Sequence, residues 1–307
     1  MHAPQSRHRQ AAVYSIFVRA YNRAMTIHFS KMHGLGNDFV VIDGRGADPG
    51  LSDDQIRRIA DRRRGVGFDQ MLILEPARSD GGDVYMRILN PDGGEARACG
   101  NGTRCVADVV MAENGRDQTV IDTIAGPIAC HRNDDGGVTC DMGMARLDWA
   151  DIPLSKDVDT LCLPLSVGDI AKPVAVGMGN PHAVFFVDDA EAVDLERLGP
   201  LIENHCLFPD RTNVEFAHVA APGIIRMRVW ERGAGVTSAC GSGACATAVA
   251  GARRGLTGRS VIVRLDGGDL AIDWRDDGHV LMTGPVSRVF SGVFDPSFLQ
   301  SDAPGSA

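Results

Sequence analysis

The 307-residue chain is 44% apolar and 23% charged, with a formal net charge of −9. That length supplies cores for two domains of ordinary size, and the acidic balance argues against nucleic acid as a partner. The apolar run at residues 11–18 is too short to cross a bilayer, so no membrane partner is expected.

Residues 1–24 carry four arginines, no acidic residue and no cleavage pattern. The folded part is expected to open at Met25, after a non-native or over-extended start. From Thr26 the pattern alternates as a strand, turns at Gly34-Leu35-Gly36-Asn37, and resumes over residues 39–42. Ser52-Asp53-Asp54 ahead of Ile56, Ile59 and Ala60 predicts a capped helix. Gly65-Val66-Gly67-Phe68-Asp69-Gln70 leads into a strand over residues 71–74, and a strand over 84–89 delivers Asn90. After Ala98-Cys99-Gly100-Asn101-Gly102, the stripe Val106, Val109 and Val110 predicts a helix stopped by Asn114-Gly115. Over residues 144–159 the periodicity lapses.

Beyond that lapse the chain repeats itself. Gly177-Met178-Gly179-Asn180 precedes an apolar strand, as Gly34-Leu35-Gly36-Asn37 did. The offset from Asn37 to Asn180 is the offset from Gln70 to Asn213. A strand ending in Glu231 matches the one ending before Asn90. Ala239-Cys240-Gly241-Ser242-Gly243 answers Ala98-Cys99-Gly100-Asn101-Gly102 at almost the same offset, which also carries Met86 onto Met227. The spacing predicts a duplicated α/β (α+β) fold. Its two pseudo-symmetric domains are one half over 25–145, completed by a strand near 283–297, and another over 146–282, with a loose tail at 298–307.

The chemistry sits on the two cysteines. A cysteine at a helix start meets unpaired backbone N–H groups and the positive end of the helix dipole, both of which favour thiolate near neutral pH. The Gly-polar-Gly turn beside it leaves amides open to a carboxylate or phosphate. Two such sites facing each other can take a proton from one face of a carbon and return one to the other, while the helix ends hold the developing charge. The eight cysteines include no C-x2-C pair, and no metal site or structural disulfide is expected. Cys105, Cys130, Cys140, Cys162, Cys206 and Cys245 read as small core residues. A Schiff-base route would need Lys31, Lys156 or Lys172, the only lysines. His182 and Glu231 lie in the repeated loops and are candidate modulators of the thiols.

Taken together, these motifs resemble the diaminopimelate epimerase family. They are Met32-His33-Gly34-Leu35-Gly36-Asn37-Asp38-Phe39, Gly65 to Gln70, Ala98 to Gly102, Gly179-Asn180-Pro181-His182, and Glu231-Arg232-Gly233-Ala234-Gly235 with Cys240 to Gly243. The resemblance implies a cytoplasmic isomerase without cofactor that converts LL- to meso-diaminopimelate, on the route to lysine and peptidoglycan. It implies Cys99 and Cys240 as the acid/base pair, tuned by His182 and Glu231. Substrate contacts carry over to Asn37, Gln70, Asn90, Gly100, Asn101, Asn180, Asn213, Glu231, Arg232, Gly241 and Ser242. Each domain is expected to be a mostly antiparallel or mixed sheet wrapped round a central helix, with the site in the cleft between them. The implied assembly is a homodimer. Phe290 stands where the family often has a tyrosine at the dimer contact, and Val236 where it usually has a glutamate. A proline or hydroxyproline racemase on the same fold is the near alternative. A non-catalytic anion-binding or redox-sensing two-cysteine protein is the distant one.

Overall fold

The structure, a computed structural model, describes residues 26–97 and 99–300. Residues 1–24 and 301–307, for which a leading extension and a loose tail are expected, lie outside them.

The first hairpin shows how the sequence sets the fold. Strands β1 (His28–Gly34) and β2 (Asn37–Asp43) pair antiparallel with Gly34 opposite Asn37. The two residues between them, Leu35 and Gly36, have φ of 57° and 83°. A two-residue loop with both φ positive matches the twist of the strands it joins. Leu35 is a branched residue in a left-handed conformation, and its buried side chain belongs to the core of the other half. The hairpin tip is thereby docked across the molecule.

The chain then crosses through helix α1 (Asp53–Ala60) to β3 (Gln70–Glu75), which lies parallel to β2 with Gln70 beside Phe39. Ser52 and Gln55 form a capping box at the start of α1. β4 (Val84–Leu89) returns antiparallel, β5 (Glu95–Ala96) pairs with its end, and helix α2 (Gly100–Asn114) comes next. Gly115, at φ 61°, closes α2. β6 (Gln118–Thr123) runs parallel to β4, and β7 (Gly126–Arg132) and β8 (Val138–Met144) complete the meander.

The second half retraces this path after a small ladder of β9 (Ser166–Val167) and β10 (Ile170–Ala171). β11 (Val174–Gly177) and β12 (Pro181–Phe186) form the hairpin, α3 (Leu195–Glu203) makes the crossover, and β13 (Asn213–Ala221) is parallel to β12 with Asn213 beside His182. β14 (Ile224–Glu231) and β15 (Gly235–Val236) precede helix α4 (Gly241–Arg253). β16 (Ser260–Leu265), β17 (Gly268–Trp274), β18 (His279–Gly284) and β19 (Ser287–Val293) end the sheet, and α5 (Pro296–Leu299) is the last helix among the described residues.

The two halves exchange strands. β18 pairs with β8, and its continuation β19 pairs with β1. Reciprocally, the chain just beyond β8 bridges β11 through Arg146 and Gly177. Each half therefore closes round its own helix with help from the other. The architecture is the expected one, two mixed-sheet halves each wrapped round a central helix, with the strand ladder continuous from one half into the other.

Packing explains the composition of those helices. In α4 ten of the thirteen residues are buried, all of them Gly, Ala, Cys, Val or Thr. A Cβ added at Gly251 would stand 2.8 Å from Thr257 Oγ1 in the turn after α4 and 3.2 Å from Ile225 Cδ1 on β14, so turn and sheet both approach closer than larger side chains allow. One core surrounds α4, a second surrounds α2, and two smaller ones seat α3 and α1 against the outer faces. Phe298 and Leu299 pack against the α1 core, so packing extends past residue 298, where the sequence predicts a loose tail. Of the cysteines read as core, Cys105, Cys130, Cys140 and Cys245 are buried; Cys162 is half-buried and Cys206 exposed. Cys206 lies in a turn after α3 with neighbouring Leu207 and Phe208 facing inward, which leaves its own side chain outside. Among the described residues no helix is long and apolar enough to cross a membrane.

Candidate active site

Cys99 and Cys240 are the N-cap residues of α2 and α4. Both have extended backbone, and each thiol accepts a hydrogen bond from the N–H three residues on: Gly102 at 3.3 Å and Gly243 at 3.4 Å. The sulfur thus occupies the place of the Ser, Asp or Asn oxygen at an ordinary cap. All eight cysteines are free thiols.

The two helix starts meet. A Cβ on Gly100 would lie 2.8 Å from Met282 Cε, and one on Gly241 would lie 2.9 Å from Met282 Sδ. Met282, with Met142 beside Gly100, forms an apolar floor under both turns. Above it Asn101 ties the halves together. Its Nδ2 donates to Asn37 Oδ1 and to the carbonyl oxygen of Ala239, each at 3.2 Å. Its Oδ1 accepts from Arg104 Nη2 at 2.9 Å. Asn37 Oδ1 is also 3.8 Å from the Cys99 sulfur.

On the Cys240 side the chain of contacts differs. Cys240 Sγ is 3.6 Å from Ser242 Oγ, which accepts from Asn180 Nδ2 at 3.4 Å. Asn180 Oδ1 is 3.0 Å from His182 Nε2, and His182 Nδ1 is 2.6 Å from Glu215 Oε1. His182 therefore reaches the thiol through Asn180 and Ser242 rather than directly. Glu231 is closer: it contacts the Cys240 thiol and accepts a hydrogen bond from Thr237 Oγ1. Burial pushes the Glu231 carboxyl up, against the opposing pull of Thr237 and Cys240.

The remaining candidates ring these turns. Gln70 Nε2 donates to Asn90 Oδ1 at 3.3 Å. Asn213 is buried and its side chain is committed, donating to the Pro181 carbonyl and accepting from the Arg232 N–H, both at 3.0 Å. Asn213 thus frames the site and sets the Glu231–Arg232 corner. The Arg232 guanidinium rests on the Asp210 carbonyl at 2.9 Å. Lys31 is bound to Asp38 and to the Gly67 carbonyl. Among the described residues no group of three His, Cys, Asp or Glu is placed to hold a metal. Phe290 lies away from the thiols on β19, half exposed beside exposed Val289 and Val293.

One expectation is corrected. The helix starts do not bring the thiols toward neutral pH by themselves. Burial pushes Cys99 up to about 12, with the Gly102 N–H opposing and Glu231 adding to the rise. Burial also drives Cys240 well up, reinforced by Glu231 and Glu215. Desolvation outweighs the dipole because protein packs round both sulfurs, more completely at buried Cys240 than at half-buried Cys99.

Sequence reasoning missed Glu215, Arg104 and Met282. Each sits in an apolar run or helix whose pattern reads as core. The signal for Glu215 was a carboxylate inside a buried strand, since unpaired charges are rarely buried.

Known proteins resemble the chain over most of its length. The family model described as diaminopimelate epimerase matches residues 29–147 and 174–289. Diaminopimelate epimerase of Rhodospirillum centenum is 58% identical over 280 residues, covering 91% of this chain and 96% of that one. That of Acidiphilium cryptum is 52% identical over 271 residues, covering 88% and 97%. Among solved structures, a hydroxyproline epimerase from Agrobacterium vitis with bound trans-4-OH-L-proline superposes with a TM-score of 0.64 at 17% identity, covering 89% and 94%. A Bacillus anthracis phenazine biosynthesis protein of the PhzF family gives 0.62 at 17%, covering 88% and 99%. At such identity these two share the fold. The close sequence relatives span both halves, both cysteine turns and the loops that face them, and so the chain belongs to the diaminopimelate epimerase family.

Proposed function

We propose that the protein epimerises LL-2,6-diaminopimelate to meso-diaminopimelate by a two-base thiol mechanism without pyridoxal phosphate. The observation that carries the mechanism is the pairing of two cysteine N-caps, Cys99 and Cys240, on helix starts that share the Met282 floor.

The substrate's reacting carbon lies between the two sulfurs. One, as thiolate, removes the α-proton; the other, as thiol, delivers a proton to the opposite face, and the configuration inverts. The roles exchange with the direction of reaction. The α-carboxylate lies against the N–H groups at Gly100, Asn101, Gly241 and Ser242, where two helix dipoles stabilise the charge that develops as the carbon loses its proton. Asn37, Gln70, Asn90, Asn180, Glu231 and Arg232 contact the rest of the molecule, with Asn213 framing them; the substrate's second amino-acid end calls for donors and acceptors in a pair of opposed loops. Desolvation disfavours the thiolate at both cysteines, and an α-ammonium group entering beside them offsets it. A homodimer formed across β19 and a cytoplasmic location complete the proposal; Val289, Phe290 and Val293 are the exposed apolar residues of that strand.

Incubating the reduced protein with LL-diaminopimelate in heavy water tests it. Deuterium should appear at an α-carbon as the meso form accumulates. A folded protein that leaves the α-hydrogens untouched would exclude the function, and exchange on proline instead would favour the racemase alternative. Cys99→Ala and Cys240→Ala should each lower inversion by roughly 10²–10⁴-fold, the usual weight of a positioned acid or base.

A further inference from the structure

The duplication produced two equivalent cysteine turns, but buried charge is not distributed equally between them. Arg104 stands one turn into α2 with no exposed surface. The offset that carries Cys99 onto Cys240 carries Arg104 onto Cys245 of α4, so the second half has no such cation. By the same offset Glu231 answers to Asn90, and the offset from Gln70 to Asn213 sets Glu215 against Leu72. The cation therefore belongs to the Cys99 side and the two carboxylates to the Cys240 side.

Arg104 is also short of partners. Its Nη2 donates to Asn101 Oδ1 and its Nη1 points at Met282 Sδ, 3.5 Å away; Nε has no acceptor. None of its contacts is a carboxylate. A fully buried guanidinium facing only neutral groups is costly, and an anion forming nearby relieves that cost. The titratable groups facing it are Cys99 and Cys105 on its own helix, Cys140 on β8 and Cys245 on α4.

We propose that Arg104 is a positioning residue that sets the polarity of the thiol pair: it fixes Asn101 across the two helix starts and makes Cys99 ionise before Cys240 in the empty enzyme. The proposal rests on the two-thiol function described above. Two independent features support it. Asn101, held by Arg104, bonds the same Asn37 oxygen that lies against the Cys99 sulfur. On the other side, a Cβ on Gly243 would stand 2.7 Å from Glu215 Oε1, so a carboxylate lies directly against the turn whose N–H caps Cys240. The direction of the electrostatics agrees. Glu231 raises both thiols, Glu215 adds to the rise at Cys240, and Arg104 opposes it at Cys99. The empty enzyme is thus preset for removal of a proton from one face of the substrate.

The rate of iodoacetamide alkylation at each cysteine, followed by peptide mass spectrometry across pH, reads the polarity. Midpoints of the pH profiles are compared because they do not depend on how accessible each sulfur is. In the wild-type protein the Cys99 midpoint should lie below that of Cys240. Arg104→Met should raise the Cys99 midpoint by about one pH unit or more, the ordinary effect of losing a nearby opposite charge. Arg104→Lys, which keeps the charge but not the fork, should recover part of that shift. A lower midpoint at Cys240 in the wild type overturns the proposal, as does a folded Arg104→Met whose Cys99 midpoint stays put. If Arg104→Met does not fold, the wild-type order decides. Alkylation needs no substrate, so the outcomes separate. Cys99 titrating first without epimerisation removes the function and keeps the polarity, while epimerisation with Cys240 titrating first removes the polarity alone.

Discussion

Asn101, in the first turn of one central helix, donates its side-chain amide to the carbonyl oxygen of Ala239, the residue preceding the cysteine of the other. The same amide reaches Asn37, and its oxygen accepts from Arg104. One side chain therefore sets the distance between the two thiol-bearing turns. A duplicated protein with a shared site needs such a tie, since neither half alone fixes where the other's cysteine stands.

Replacing Asn101 with Ala removes three contacts at once and leaves the buried Arg104 fork without its acceptor. The expected loss of stability is about 1–3 kcal/mol, the penalty for a buried donor left unpaired. Inversion should fall more than stability suggests, by roughly 10²-fold, because small displacements of reacting groups are expensive. Urea melts and steady-state kinetics of the same preparation check the two effects separately. Wild-type kcat in a destabilised variant would show that Asn101 supports the fold without setting the thiols.

Glu231 makes a prediction with a definite sign. Its carboxylate raises both Cys99 and Cys240, and it accepts from Thr237. Glu231→Gln keeps an oxygen for Thr237 and removes the charge. A negative charge disfavours a neighbouring thiolate, so its removal should move the alkylation midpoints of both cysteines to lower pH, by about one unit. Midpoints that rise instead would mean that Glu231 acts as a proton acceptor for the thiols rather than as a fixed repulsive charge.

The duplication is legible in the sequence because it left a ruler: the two Cys-Gly-x-Gly turns and the two glycine-asparagine turns recur at nearly one offset. Those turns need glycine or asparagine for backbone reasons, and such requirements survive in a sequence. The helix limits at Ser52 and Gly115 are readable for a like reason, the backbone demands of a cap. The exchange of β18 and β19 against β8 and β1 leaves little local mark beyond an extra strand after the second half, since a strand's pattern says which face is buried and not which neighbour it joins. Arg104 and Glu215 are hidden inside helix and strand patterns that read as core. The thiol environment is misjudged from sequence because a helix start is visible there, whereas the burial that overrides it comes from residues as distant as Met142 and Met282.

Gly267 joins the halves at a second point. A Cβ there would stand 2.0 Å from the carbonyl oxygen of Leu35 and 3.1 Å from that of Ser238. Neither is a side-chain end that can rotate away. Gly267→Ala must push the β1–β2 turn off the second half, moving Asn37 two residues on. A loss of about 1–3 kcal/mol is expected from the overpacking, together with weaker substrate binding through Asn37. Thermal melts and KM measure the two; an unchanged KM in a destabilised variant would separate the docking of the turn from the position of Asn37.

Asp38, next to Asn37, supplies the acid limit. Burial works against its charge, but hydrogen bonds from Arg62 and Lys31 outweigh that and hold its carboxyl at about 2, below the ordinary 3.8. A carboxyl depressed by folding contributes stability that is fully present above its unfolded value and is lost as pH falls through the folded one. The window here runs from about pH 4 down to about pH 2, as those two values dictate. The group is half-buried and Arg62 is largely exposed, so solvent screening reduces the contribution to about 1 kcal/mol. Asp38→Asn should therefore be less stable than wild type by about that amount at pH 7. The gap should narrow below pH 4 and vanish below about pH 2, where the wild-type carboxyl is itself protonated and Lys31 is equally unpaired. Urea unfolding across pH gives the difference directly. A gap that is constant with pH would assign the effect of Asp38 to its hydrogen-bonding shape rather than to its charge.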